Sequence, residues 1–178
     1  MKRACLAALL FLLARAPSRS QQAAANAPQE IFDRAVADFR QGRAAESARG
    51  FDELARMAPS LAPQLWQRGI ALYYAGRYKD CRAQFELHRT VNPNDVENAV
   101  WHFLCVARDE SPQKAKAAML PVGPDERVPM SQVAEMFRGN IKPEAVLAAA
   151  GGTRSSGDRK STRLNSSHVS ESRMPSSA

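Results

Sequence analysis

Just after the N-terminal segment, the apolar positions recur at helical spacing in two series that are separated by a glycine. Phe32, Val36 and Phe39 lie three or four residues apart, so they share one face of a helix. A second apolar series with similar spacing follows over residues 44–55. Gly42 stands between the two series, where a glycine in the left-handed conformation ends a helix and begins a tight turn. The pattern therefore predicts two antiparallel helices joined at Gly42.

The whole pattern repeats after 34 residues, because residues 28–61 and 62–95 align without a gap. Agreement at many positions with one fixed period indicates a repeat more strongly than any single motif does. Each unit has a glycine at the turn between its helices and a proline that closes its second helix. The aligned pairs are Phe32 with Trp66, Ala35 with Gly69, Phe39 with Tyr73, Gly42 with Gly76, Phe51 with Phe85 and Pro59 with Pro93.

Helical signals continue beyond the second unit but become weaker. The segment "VENAVWHFLCVARDE" predicts a first helix, whereas "SPQKAKAAML" is a short and degenerate partner. With the proline-rich "PVGPDERVPM" they form a degenerate third unit over residues 96–129. Two short helices are predicted within residues 130–150: one over residues 131–138 that ends at Gly139, and one over residues 143–150 that begins with proline. We expect the fold to be all-α.

The second unit has the features that identify a known repeat family. Its 34-residue length, its small residue in the first helix, "GRY" at the turn and "NPND" at the end resemble the tetratricopeptide repeat. Together with "RVPMSQVAEMFRG" and "KPEAVLAAA", residues 28–150 are similar to exported or organellar tetratricopeptide proteins and, more distantly, to periplasmic adaptor lipoproteins. The resemblance implies a solenoid of helical hairpins, with residues 28–61 and 62–95 as its two clear repeats.

The resemblance also implies where a ligand would bind. In such arrays the first helices line a groove that takes extended or helical peptides. The side chains here are aromatic and aliphatic with one arginine, which favours an apolar peptide anchor over the lysine and asparagine clamp of chaperone-binding members. The alternative is that some of these rings pack between neighbouring repeats. The expected groove residues are Phe32, Val36 and Arg40 in the first unit and Trp66, Ile70 and Tyr74 in the second.

The N-terminus has the layout of a targeting segment. Two cations precede an apolar run over residues 4–14, and a stretch of small and polar residues follows. This arrangement is typical of a secretory signal peptide, and the run is too short to span a bilayer. We expect residues 1–20 to be removed, with cleavage between residues 20 and 25, leaving a periplasmic or secreted protein without a stable membrane anchor. An organellar transit peptide is the alternative, because Arg15 and Arg19 follow and acidic residues are absent.

The net charge of +7 is concentrated at the two ends of the chain. Four cations and no acidic residue precede residue 21, and residues 158–178 have an excess of two cations. The middle of the chain is therefore close to neutral, and it does not have the basic balance that nucleic-acid binding requires. We expect protein or peptide partners and no nucleic acid.

Cysteine and histidine offer the only candidates for chemistry. Cys81 and Cys105 are expected on helices with inward faces, which favours packed thiols, with a disulfide between them as the alternative. Cys105 and His102 lie three residues apart, but no third group is evident that would orient them as a nucleophilic pair. His88 and His102 have no metal-ligand spacing. We therefore expect no metal, no cofactor and no enzymatic activity.

The serine-rich end, residues 151–178, has no apolar periodicity and is typical of a disordered segment. A second interpretation is more specific. Residues 158–168, "DRKSTRLNSSH", and residues 171–178, "ESRMPSSA", resemble the translation of a common short-read sequencing adapter on either side of an index-like interval. We therefore expect residues 151–178 to be a disordered, non-native tail and the natural protein to continue differently after about Gly151.

These patterns together predict a non-enzymatic tetratricopeptide scaffold or adaptor of an exported compartment, which binds client segments in its groove. An assembly factor of the same fold in an organelle lumen is one alternative. An enzyme that uses Cys105 or the histidines is another, and self-association through the terminal repeats would be compatible with the scaffold.

Overall fold

The computed structural model describes residues 19–152, and its account of side chains covers residues 27–151. These residues form eight α-helices and one 3₁₀ helix and contain no strand, so the all-α prediction is confirmed for this part of the chain. The predicted signal segment, apart from Arg19 and Ser20, lies outside the described residues. So does the predicted disordered tail, apart from Gly151 and Gly152, which are helical because they end α8. The helices are α1 Arg19–Arg40, α2 Ala44–Met57, the 3₁₀ helix Pro59–Gln64, α3 Trp66–Tyr74, α4 Tyr78–His88, α5 Val96–Asp109, α6 Pro112–Ala117, α7 Met130–Arg138 and α8 Pro143–Gly152.

Most of the α-helices pack on the next α-helix along the chain. The pairs α1 with α2 and α3 with α4 are hairpins, and α2 also contacts α3 while α4 contacts α5. Helix α5 contacts α3, α6 and α7, and α8 packs on α7. The first helix begins before the predicted repeat boundary at residue 28 and contains Pro28 in its interior.

The two hairpin turns have the same geometry, 34 residues apart. Gly42 and Gly76 have φ values of 77° and 75°, which is the left-handed conformation that glycine adopts at low cost. In both turns the next N–H donates to the carbonyl five residues earlier, over 2.9 Å. The prediction that these glycines end the first helices is confirmed.

The connection between the hairpins differs from the simple repeat. The predicted second unit begins at residue 62, but that residue belongs to the 3₁₀ helix Pro59–Gln64, and α3 begins only at Trp66. Two prolines in this segment lack the N–H that an α-helix would use, which favours short 3₁₀ turns. The Gln84 side chain on α4 donates to the Ala62 carbonyl over 2.8 Å and so fixes the segment against the second hairpin.

The core lies between the two hairpins and α5. Phe51, Leu54, Leu72 and Phe85 are almost completely buried. A Cβ added at Gly69 would lie 2.6 Å from the ring of Phe85, so only glycine permits this approach of α3 to α4. The small residue that defines the repeat therefore has a direct packing role.

The C-terminal helices follow the sequence signals. Helix α7 begins one residue before the predicted position and ends at Gly139, whose φ is 82°. Its Phe137 contacts Phe103 of α5, with ring centroids 5.1 Å apart. In the preceding loop Arg127 pairs with Asp95 near the start of α5 over 3.1 Å. These contacts attach the C-terminal helices to α5.

Candidate functional site

Aromatic side chains from three helices meet at one surface. The rings of Phe39 on α1 and Tyr74 on α3 have centroids 5.6 Å apart, and those of Tyr73 on α3 and Trp101 on α5 are 5.5 Å apart. Tyr73 and Tyr74 also contact each other, and all these pairs have the edge-to-face geometry that aromatic rings prefer. We call Phe39, Tyr73, Tyr74 and Trp101 the aromatic surface.

The repeat explains why these residues meet. Phe39 and Tyr73 occupy the same position of the two repeats, near the end of each first helix. Tyr74 follows Tyr73 as the last residue of α3, where its side chain is 61% exposed. Phe39, Tyr73 and Trp101 are half-buried and pack against the core. The surface therefore presents one exposed ring that three less exposed rings surround.

The six predicted groove residues differ in their exposure to solvent. Tyr74 and Arg40 are exposed, whereas Val36 and Ile70 are half-buried beside the core. Trp66 is 39% exposed at the start of α3, so it lies about 12 Å along the helix from Tyr74 at 1.5 Å per residue.

Phe32 is not accessible to a ligand. It is 4% exposed, and its ring packs edge-to-face on Phe51 with centroids 5.7 Å apart. The expectation that Phe32 lies in the groove is therefore corrected: it is a core residue of the first hairpin. The face of α1 that carries Phe32 is partly covered by the core and partly exposed. The sequence spacing alone does not tell which of its residues are covered.

Three residues of the aromatic surface, Phe39, Tyr73 and Trp101, were absent from the predicted groove. Phe39 aligns with Tyr73, so the repeat already contained a signal for it. Trp101 lies on α5, in the degenerate third unit, one residue after the position that aligns with Trp66. Extending the 34-residue alignment into α5 would have identified this helix as the third contributor.

Helix α4 holds Trp101 in place. The Trp101 ring stacks on Phe85 with an interplanar angle of 11° and centroids 6.2 Å apart. The Asn98 amide, one turn earlier on α5, donates to the Phe85 carbonyl over 3.1 Å. A disulfide joins Cys81 of α4 to Cys105 of α5. The position of Trp101 thus depends on the α4–α5 contact.

The disulfide corrects the expectation of free, packed thiols. Both cysteines are buried, as expected, but their Cα atoms lie 5.9 Å apart, which is within the range that a disulfide bridges. The sequence places each cysteine on an inward face but does not give the distance between two neighbouring helices. While Cys105 is part of the disulfide it has no thiolate, so it is not a nucleophile that His102 could activate.

At the same contact a buried histidine pairs with an exposed carboxylate. The His102 side chain is completely buried on α5, and its Nε2 lies 3.3 Å from a carboxylate oxygen of Glu86 on α4. Burial lowers the pKa of His102, and the nearby Glu86 carboxylate offsets only part of that effect. Burial would raise the pKa of Glu86, but hydrogen bonds with Arg82 and His102 outweigh it and hold that pKa below its usual value.

The sequence matches no protein-family model, and a comparison with curated proteins gives no match. Within residues 19–152 no helix combines the length and the hydropathy needed to cross a membrane. In the same range no three His, Cys, Asp or Glu side chains form a group that could hold a metal ion.

We predict that the disulfide stabilises the fold. The bond closes a loop with a sequence separation of 24, for which the chain-entropy account gives about 3 kcal/mol. Replacing Cys81 and Cys105 together by alanine should lower the free energy of unfolding by about that amount in a urea titration. A reducing agent should have a similar effect on the wild-type protein and little effect on the double variant. Equal stability of both proteins, with and without reductant, would contradict the pairing.

We also predict a loss of stability in mild acid that depends on His102. Its pKa is lowered in the folded protein, so below the unfolded value of about 6.5 the unfolded chain binds more protons than the folded one. The free energy of unfolding should therefore decrease as the pH falls through this window. Urea titrations at about pH 7.5 and about pH 5.5 should show a smaller decrease for His102→Gln than for the wild type. The same decrease in both proteins would exclude His102 as its source.

Proposed function

We propose that the protein is a tetratricopeptide-type helical scaffold that binds segments of client proteins on its aromatic surface. The observation that carries this proposal is the exposure of Tyr74 among Phe39, Tyr73 and Trp101. The identical turns at Gly42 and Gly76, one repeat length apart, support the choice of repeat class.

The chemistry of the surface suits a protein ligand. Tyrosine and tryptophan are enriched among residues that dominate binding energy, because they bring a large contact area with few rotatable bonds. The ring contacts of Tyr74 with Phe39 and Trp101 already restrict its side chain, so ligand binding costs less conformational entropy. An apolar client side chain placed against Tyr74 would bury surface on both partners, which is the main source of affinity.

The neighbouring positions extend the same surface. Val36 and Ile70 lie about one turn before Phe39 and Tyr74 on the same helices and are half-buried. They provide aliphatic contacts beside the rings. A client segment that crosses α1, α3 and α5 would thus meet an apolar centre, as the groove-binding mode of helical repeats requires.

The proposed location is an exported, oxidising compartment. The N-terminal segment supports export, and the disulfide between Cys81 and Cys105 adds an independent argument. Disulfides persist outside the cytosol, where no reducing system removes them. An assembly factor in an organelle lumen is the second candidate, because an oxidising lumen would also permit the disulfide.

We predict that Tyr74→Ala abolishes most client binding while leaving the fold intact. Truncation of a central aromatic anchor typically costs about 2 kcal/mol of binding energy, or about a thirtyfold weaker Kd. The probe is a set of peptides selected on the wild-type protein from a displayed random library. Their affinity for both proteins is then measured by fluorescence anisotropy, and thermal unfolding checks the stability.

Leu87→Ala is the matched control, because Leu87 is a partly exposed apolar residue on α4, which contributes no ring to the aromatic surface. Binding should survive that substitution. If Tyr74→Ala and Leu87→Ala weaken binding equally, or if the library gives no binder, the proposed surface is wrong.

We predict that the exported protein begins between residues 21 and 26. Cleavage after Ser20 or near Ala25 would leave such an N-terminus, and signal peptidases favour small residues before the cut. The measurement is intact-mass and N-terminal sequence analysis of the protein after expression in a bacterial host that has a periplasm. A chain that retains Met1 in the cytosolic fraction would contradict export in that host.

A further inference from the structure

A row of two arginines and one tyrosine runs across the ends of the three first helices. Arg40, Tyr74 and Arg108 occupy the same position in three successive first helices, 34 residues apart. Each lies in the last turn of its helix, α1, α3 or α5, and each is exposed. The most exposed ring of the surface therefore has a guanidinium at the corresponding position of the helix on either side.

The fold orients Arg108 without neutralising it. Its Nη2 donates to the Tyr78 hydroxyl over 2.9 Å, and its guanidinium lies 5.3 Å from the centroid of that ring. Within the described part of the chain, Tyr78 is the side chain that the Arg108 guanidinium contacts. The arginines of the two hairpin turns differ, because Arg43 pairs with Asp38 and Arg77 pairs with Asp52.

A tyrosine partner fixes the direction of a guanidinium but leaves its charge uncompensated. Most donors of the Arg108 guanidinium remain available, in the planar arrangement that a carboxylate matches with two parallel hydrogen bonds. Holding the side chain in advance also reduces the conformational entropy that binding would cost.

We infer that the client segment has an apolar anchor with a carboxylate on each side. The anchor contacts Tyr74 between Phe39 and Trp101, one carboxylate pairs with Arg108, and the other pairs with Arg40. This inference rests on the proposed function, and it specifies the chemistry of the client. An acidic protein segment is the favoured occupant, because the surface combines exposed positive charge with an apolar centre.

The geometry sets the spacing of the client's residues. Packed helices lie about 8–10 Å apart, so the positions on α1 and α5 are separated by roughly 20 Å. An extended peptide advances about 3.3 Å per residue, so about six residues span that distance. The acidic residues should therefore stand about three positions before and after the anchor.

The test uses three synthetic peptides of equal length, each with a central leucine and a fluorescent label. They carry glutamate, glutamine or lysine at both flanking positions, and fluorescence anisotropy gives their affinity for the full chain. We expect the glutamate peptide to bind about tenfold more tightly than the glutamine peptide, and the lysine peptide to bind most weakly. Added salt should reduce this preference, because it screens exposed charges.

Arg40→Gln combined with Arg108→Gln should make the glutamate and glutamine peptides bind equally. Arg56→Gln is the matched control, since Arg56 is an exposed arginine in the last turn of α2 and lies outside the row. That control should keep the full preference. Thermal unfolding of each variant distinguishes a lost contact from a lost fold.

The outcomes separate this inference from the proposed function. If all three peptides bind equally to the wild type and Tyr74→Ala removes that binding, the aromatic surface stands and the acidic client is overturned. If the preference for glutamate persists in the double arginine variant, Arg40 and Arg108 do not bind the carboxylates. If none of these peptides binds, and library selection also gives no binder, both proposals fail together.

Discussion

The ring of Phe85 is the contact on which the rest of the structure depends. On one side it fills the space that Gly69 leaves on α3, and on the other it stacks against Trp101 of α5. The same ring thus sets the distance between the helices of the second hairpin and orients the helix that follows. The Asn98 side chain, hydrogen-bonded to the Phe85 carbonyl, adds a polar constraint at the same place. Through these contacts Phe85 fixes the position of α5 beside α3.

The aromatic surface is a consequence of that packing. Trp101 reaches Tyr73 and Tyr74 because α5 lies against α4, and Phe39 reaches Tyr74 because α1 and α3 end side by side. The disulfide between Cys81 and Cys105 strengthens the α4–α5 contact covalently, close to the buried His102 and its partner Glu86. Stability and the shape of the proposed binding surface are therefore coupled through one helix contact. The row formed by Arg40, Tyr74 and Arg108 then adds charge to a surface whose centre is apolar.

Much of the fold follows from local signals in the sequence. Glycine at positions 42, 76 and 139 ends a helix because the left-handed conformation costs it little, and each of these glycines has a positive φ. The 34-residue period correctly places the turn of the second hairpin, and it correctly aligns the small residue Gly69 with Ala35, since both are buried. Helices α7 and α8 lie close to their predicted ranges, because proline and glycine mark their ends.

The two hairpins, their glycine turns and the repeat could be derived from the sequence alone, because these depend on backbone preferences and on spacing along one chain. The tertiary structure decided which side of a helical face is covered, which is why Phe32 belongs to the core and Tyr74 does not. It also decided that Cys81 and Cys105 pair and that Trp101 joins the aromatic surface. Each of these outcomes depends on the distance between two helices, which no local pattern encodes.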